Sequence, residues 1–116
     1  MISGGLKRAW LVRGPTDMRK SFEGLAGIVD AIPGAELTSG DVFIFCNRVR
    51  TRLKALYWDG SGLWCCAKKL EQGRFRWIQA ANGERTLSLN EEELMMIVKG
   101  LDPADFHQKK WFRKED

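Results

Sequence analysis

Two kinds of hydrophobic spacing divide the chain. Met18, Phe22, Leu25, Ala26, Val29 and Ile32 recur every three or four positions, the spacing that lines one face of a helix. This predicts a helix from about Asp17 to Ala31. Thr16 is its expected N-cap, Asp17 complements the positive end of its dipole, and Pro33-Gly34 closes it. Gly24 and Gly27 would each weaken it by up to about 1 kcal/mol, and a close approach to a sheet would account for them. Ahead of it, Ala9 to Arg13 reads as a short strand.

From Val42 to Trp77 the pattern changes to short runs of β-branched and aromatic residues, broken at Cys46-Asn47, Asp59-Gly60-Ser61-Gly62 and Gly73. The Asp59–Gly62 turn sets a hairpin register in which Trp58 faces Leu63 and Tyr57 faces Trp64. Alternation then puts Leu56, Trp58, Leu63, Cys65 and Ala67 on one face, with Tyr57, Trp64 and Cys66 on the other. Both faces are apolar at this end, and cover is expected over both. Arg48, Arg50, Arg52 and Lys54 sit at every second position. A strand sends alternate side chains to opposite faces, so all four should project from the first of these faces. Val49, Thr51, Leu53 and Ala55 hold the core-facing parity, so a one-residue slip would bury the cations. Of Trp58, Trp64, Phe75 and Trp77, at least two should be buried.

Ala35 to Asp41 is a polar connector, and Ala80-Ala81-Asn82-Gly83 is another turn. Arg85 to Leu89 alternates as a strand. Asn90 with Glu93 has the form of a capping box. Leu94, Ile97, Val98 and Leu101 line a second helix that Gly100 closes and Pro103 keeps closed. Tight turns between successive strands predict an antiparallel meander, with the helices at its two ends covering one face. The expected architecture is an α+β domain over residues 1–101: a mainly antiparallel twisted sheet of about five strands with two helices packed on it. Residues 102–116 form a basic and aromatic C-terminal tail. Its Lys109-Lys110-Trp111-Phe112-Arg113-Lys114 run fits either a nucleic-acid arm that orders on binding or a solvated tail with one anchoring aromatic.

Composition narrows the class. A chain of 116 residues supports one domain, and 44% apolar with 29% charged residues is the balance of a folded globule. No apolar run is long enough to span a membrane, and MISGGLKRAW lacks a signal-peptide core, so a cytoplasmic location is expected. Cys65 and Cys66 are adjacent, a poor disulfide framework. The only histidine, His107, stands in the tail. That leaves too few ligands for a structural zinc site, and the cysteines read as buried, inert thiols.

No catalytic constellation is present. One histidine in the tail makes no nucleophile pair, and two-metal chemistry needs converging carboxylates. Asp41 and Asp59 flank strands and Glu71 sits by a turn, each best read as a turn or solvated residue. Glu91, Glu92 and Glu93 suit a helix first turn. The strand–Gly14-Pro15–helix passage lacks the phosphate-loop pattern, and the GxxG of Gly24 to Gly27 lies inside the helical stripe. We expect no enzyme, cofactor or metal.

Charge adds the positive content. Lys68, Lys69, Arg74 and Arg76 extend the run of Arg48, Arg50, Arg52 and Lys54, and between Val42 and Trp77 only Asp59 and Glu71 oppose them. The local excess is larger than the +4 of the whole chain. Such clustering favours nucleic acid, ahead of a membrane surface. The bland alternative is a wet sheet face or a charged edge that blocks aggregation. The absence of interleaved acids favours binding, with Arg19 and Lys20 joining from the first helix. Phosphate contacts would give affinity with little sequence choice. A rival surface for a protein partner is offered by Trp58 or Trp64 with an unpaired sheet edge.

Four blocks together resemble one family: Gly14-Pro15-Thr16-Asp17-Met18-Arg19-Lys20-Ser21-Phe22-Glu23-Gly24-Leu25; Ser39-Gly40-Asp41-Val42-Phe43-Ile44-Phe45; Leu53-Lys54-Ala55-Leu56-Tyr57-Trp58-Asp59-Gly60-Ser61-Gly62; and Lys68-Lys69-Leu70-Glu71-Gln72-Gly73-Arg74-Phe75. They resemble the second-reading-frame accessory protein, also called TnpB, of insertion sequence 66 elements. The resemblance implies a role in DNA transposition beside a separate, larger strand-transfer enzyme. It supplies a process and not a mechanism; the expected partners are DNA, through the basic face, and the element's transposase, and a homodimer is compatible with both. It also implies that Thr16 to Lys20 and Tyr57 to Gly60 matter, as a helix start and a hairpin turn. Where the family often has arginine near position 46, this chain has Cys46.

Overall fold

The computed structural model describes residues 8–77 and 86–100. Its elements are β1 (Ala9–Pro15), α1 (Phe22–Asp30), a 3-10 turn (Leu37–Ser39), β2 (Val42–Cys46), β3 (Arg52–Trp58), β4 (Leu63–Lys69), β5 (Thr86–Leu89) and α2 (Glu91–Val98). The five strands form one sheet in the order β4-β3-β2-β1-β5. This is the α+β architecture the sequence predicts, and mainly antiparallel. The turn at 80–83 and the tail from 102 lie outside the described residues.

Val42-Phe43-Ile44-Phe45-Cys46 has no polar parity, and every one of its residues is buried. A central strand with two apolar faces needs a cover on each. On one face, Leu25, Val29 and Ile32 pack with Phe43, Phe45 and Leu56. On the other, Leu94 and Ile97 of α2 join Leu11, Ile44, Leu53, Tyr57, Phe75 and Trp77. The helices therefore cover opposite faces, which corrects the expectation that both lie on one.

The meander also needs correction. β2, β3 and β4 pair antiparallel in sequence order, but β1 and β2 are parallel. A helix between two neighbouring strands carries the chain back to the starting end, so the strands it joins run the same way. β5 then pairs antiparallel with β1, with Ala9 opposite Leu89 and Val12 opposite Thr86.

The first helix begins later than its apolar spacing suggests. Ser21, not Thr16, is the N-cap. The Asp17 carboxylate accepts the Arg19 backbone N–H at 2.9 Å, and Lys20 N–H donates to Asp17 O at 3.1 Å. A short acidic side chain that bonds backbone two residues on favours a turn over a helix. Thr16 is buried, and its N–H continues the sheet to Cys46 O at 2.8 Å. Phe22, placed in the core stripe by spacing, is 46% exposed.

A Cβ on Gly24 would stand 3.0 Å from Lys20 Cβ, so Gly24 accommodates a side chain of its own turn, not the sheet. Nothing in the structure explains Gly27. The second helix conforms to expectation: Asn90 and Glu93 make both bonds of the capping box, at 2.8 and 3.0 Å.

Two substitutions test this account by chemical denaturation. Phe43→Ala removes a fully buried ring from the central strand and should lower stability by about 3–5 kcal/mol. Asn90→Ala should cost about 1 kcal/mol through lost capping.

Candidate nucleic-acid interface

The cations gather at the end of the sheet where β1 and β2 finish, β3 begins and β4 finishes. They do not form one strand stripe. β3 starts at Arg52, and Arg48 and Arg50 lie in the connection before it. Asn47 makes that connection: its Oδ1 accepts the N–H of Thr51 at 2.9 Å and of Arg52 at 3.1 Å, and its O accepts Arg50 N–H. Arg50 takes a positive φ of 64°, a conformation few side chains other than Asn and Gly adopt readily. Alternation of Arg48 with Arg50 is thus a feature of the sequence, not of a strand.

Arg52 and Lys54 do share a face, as expected. It is the face that carries Leu56 and is covered further along by α1. Arg52 lies opposite Lys69, and Lys54 opposite Ala67. Lys54 Nζ donates to Lys20 O at 2.6 Å, which ties the Thr16–Lys20 turn to the sheet. Met18, Arg52, Leu53, Lys54, Ala67, Lys68 and Lys69 line a cleft of about 230 Å³. Beyond Met18 a second, more open cleft is lined by Pro15, Thr16, Asp17, Asn47, Arg48 and Val49.

The remaining candidates have mixed roles. Lys68 has the opposite parity, and its Nζ donates to Val98 O at 2.8 Å. It places a cation on the carbonyl end of α2, where the helix dipole favours one. Arg74 and Arg76 are exposed on either side of Phe75, whose N–H donates to Arg50 O at 2.7 Å. That bond brings the 74–76 segment to the β2–β3 connection. Lys20 is exposed beside its Lys54 tether. Arg19 is engaged by Asp17 in a forked ion pair, Nη2 to Oδ2 at 2.7 Å and Nε at 3.1 Å. The Arg19 guanidinium holds the Asp17 carboxyl down at about 2. Between described residues the ion pairs are this one and Arg8–Asp41, and neither involves Arg48, Arg52, Lys69 or Arg74.

The opposite end of the sheet is anionic and aromatic. The hairpin register is as expected, Trp58 opposite Leu63 and Tyr57 opposite Trp64. Trp64 is nevertheless 48% exposed, so that face of the hairpin end is not covered. Its ring stacks on Tyr57 at 6.2 Å, and its Nε1 donates to Asp59 Oδ2 at 2.8 Å. Asp59 Oδ1 also accepts from Ser61 N, Ser61 Oγ and Gly62 N. Trp58 is half-buried, while Phe75 and Trp77 are buried.

Asp41, read from sequence as a turn or solvated residue, is buried. It accepts Trp10 Nε1 at 2.9 Å, and Arg8 lies 3.7 Å away and over the Trp10 ring. The signal available was its place directly before an all-apolar strand. Cys46 is buried, which pushes its thiol up to about 11, the behaviour of an inert thiol. Cys65 and Cys66 are half-buried. Among the described residues no group of three or more His, Cys, Asp or Glu could hold a metal ion, and no helix is long and apolar enough to cross a membrane.

A small α+β domain with one cationic sheet end is the class that these features define. The chain belongs to the IS66 Orf2-like family, whose model, described as "IS66 Orf2 like protein", matches residues 7–108. This membership supports a role as an accessory protein of transposition. The chain is 36% identical over 88 residues to "Uncharacterized protein y4jC" of Sinorhizobium fredii, covering 76% of this chain and 74% of that one. It is 33% identical over 100 residues to "Uncharacterized protein y4hO" of the same organism, covering 86% and 85%. No solved structure matches it significantly.

The Asp59 clamp gives a pH prediction. Hydrogen bonds from Ser61 and Trp64 hold its carboxyl at about 2, below the ordinary 3.8. A lowered folded-state value means stability that is present above about pH 4 and lost as pH falls toward 2. Asp59→Ala should therefore melt below the wild type at pH 6, and the gap in melting temperature should narrow as pH falls from about 4 toward 2.

Proposed function

We propose that this chain is a non-catalytic accessory protein of transposition that binds nucleic acid through the cationic end of its sheet. The observation that carries the reading is the convergence of Arg48, Arg50, Arg52, Lys54, Lys69 and Arg74 from three connected segments, with no acid pairing to Arg48, Arg52, Lys69 or Arg74 among the described residues. A merely solvated face gains nothing from such crowding, whereas a polyanion is bound in proportion to it. Lys20 adds to the rim. Lys68 and Arg19 contribute less, because α2 and Asp17 already engage them.

A second reading is an adaptor that docks on the transposase of the same element. Trp64 favours it: an indole half exposed, stacked on Tyr57 and fixed by Asp59 presents a rigid aromatic anchor. The two readings use opposite ends of the sheet and are compatible.

Fluorescence anisotropy of labelled duplex and single-stranded DNA across a salt series tests the first reading. The triple variant Arg48→Gln, Arg52→Gln, Arg74→Gln changes exposed side chains only and should fold normally. It should lose affinity for every DNA sequence alike, and its salt slope should flatten by roughly 0.7–0.9 for each phosphate that is no longer neutralised. No binding by the wild type at low salt would defeat this reading. Capture of the transposase by the wild type but not by Trp64→Ala would then establish the second.

A further inference from the structure

Arg52 and Lys69 are direct partners across the β3–β4 ladder. Like charges in that relation destabilise a sheet. Lys54 stands next along the same face, so three cations adjoin. No acid among the described residues forms an ion pair with any of them. Lys54 has one N–H on Lys20 O, which leaves its other two to point elsewhere. The cleft they line also has Met18 and Ala67 as apolar walls. At about 230 Å³ it falls short of the roughly 300–1,000 Å³ of small-molecule sites, so a whole nucleotide cofactor is a poor fit and a single phosphate group a good one.

We propose that this cleft is a phosphate clamp, in which one backbone phosphodiester lies between Arg52 and Lys69 with Lys54 closing the third side. The anion relieves the repulsion between these facing cations, so binding at this point also stabilises the fold. The clamp deepens the nucleic-acid reading and rests on it for the source of the phosphate. Within the cationic end, it assigns one phosphate contact to a pair of facing residues.

The test is thermal unfolding of the full chain with inorganic pyrophosphate against sodium chloride at matched ionic strength. It compares the wild type, Lys69→Thr, Arg52→Thr, and a control, Lys99→Gln, an exposed cation at the end of α2. In chloride, each threonine variant should melt about 2 °C above the wild type, because a like-charge pair is gone. Pyrophosphate should raise the melting temperature of the wild type and the control, and leave both threonine variants nearly unmoved. Threonine variants that melt lower, or that respond to pyrophosphate as the wild type does, overturn the clamp. So does undiminished oligonucleotide affinity in both, and in that case nucleic-acid binding survives elsewhere on the surface. Wild type that is stabilised by pyrophosphate yet binds no oligonucleotide leaves the anion site standing and removes its assignment to nucleic acid.

Discussion

A strand with no polar face governs this fold. Because both parities of Val42 to Cys46 are apolar and buried, the chain needs a layer on each side of the sheet. It supplies one before the strand, as α1, and one after the meander, as α2 with Phe75 and Trp77. Placing α1 between β1 and β2 makes that pair parallel, and parallel pairing brings Pro15 beside Cys46. The Thr16–Lys20 turn and the Asn47–Thr51 connection therefore emerge together. The site's location is a consequence of core packing, not of any special loop.

The same geometry separates charge along the strands. Asp41 precedes β2 and Asp59 follows β3, so both acids sit at the end opposite the cations. Each has local work there, with Trp10 and with Trp64 respectively. Neither is within pairing distance of the β3 cations, and β4 has no acid in its length. The cationic end is left with its repulsion, and Arg50 in a positive-φ conformation adds a second local cost. Sequences that merely need solubility can reach it with charges of mixed sign. Keeping like charges opposite one another is easier to understand when an anion completes them.

Most of the fold could be read from the residues, because it rests on short-range signals. The Asp59–Gly62 turn set the β3–β4 register, the Asn90–Glu93 box set the start of α2, and Gly34 and Gly100 mark helix ends with positive φ. Two of the errors share a cause. Asp17 and Asn47 are short polar side chains that bond nearby backbone, and each ends a periodic pattern sooner than hydrophobic spacing indicates. Spacing continued the helix back to Asp17 and continued the strand back to Arg48. The opposite-face arrangement of the helices was also within reach, since Phe43 and Phe45 alternate with Val42, Ile44 and Cys46. It needed the burial of both parities to be taken as a demand for two covers.

These corrections bear on the site as well. Had Arg48, Arg50, Arg52 and Lys54 shared one strand face, they would form a line of charge about 20 Å long by strand geometry, suited to tracking a groove. Asn47 breaks that line. What results is a short β3–β4 face of three adjoining cations, flanked by a loop carrying two more and by the 74–76 segment tied to that loop. A compact cluster of this shape matches a local phosphate or a bend in a strand better than an extended duplex track. On the proposed nucleic-acid reading, sequence specificity would come from a partner or from nucleic-acid shape, because arginine and lysine held at phosphates carry no base readout. An exposed, fixed indole at the far end of the same strands suits the partner's side of that division.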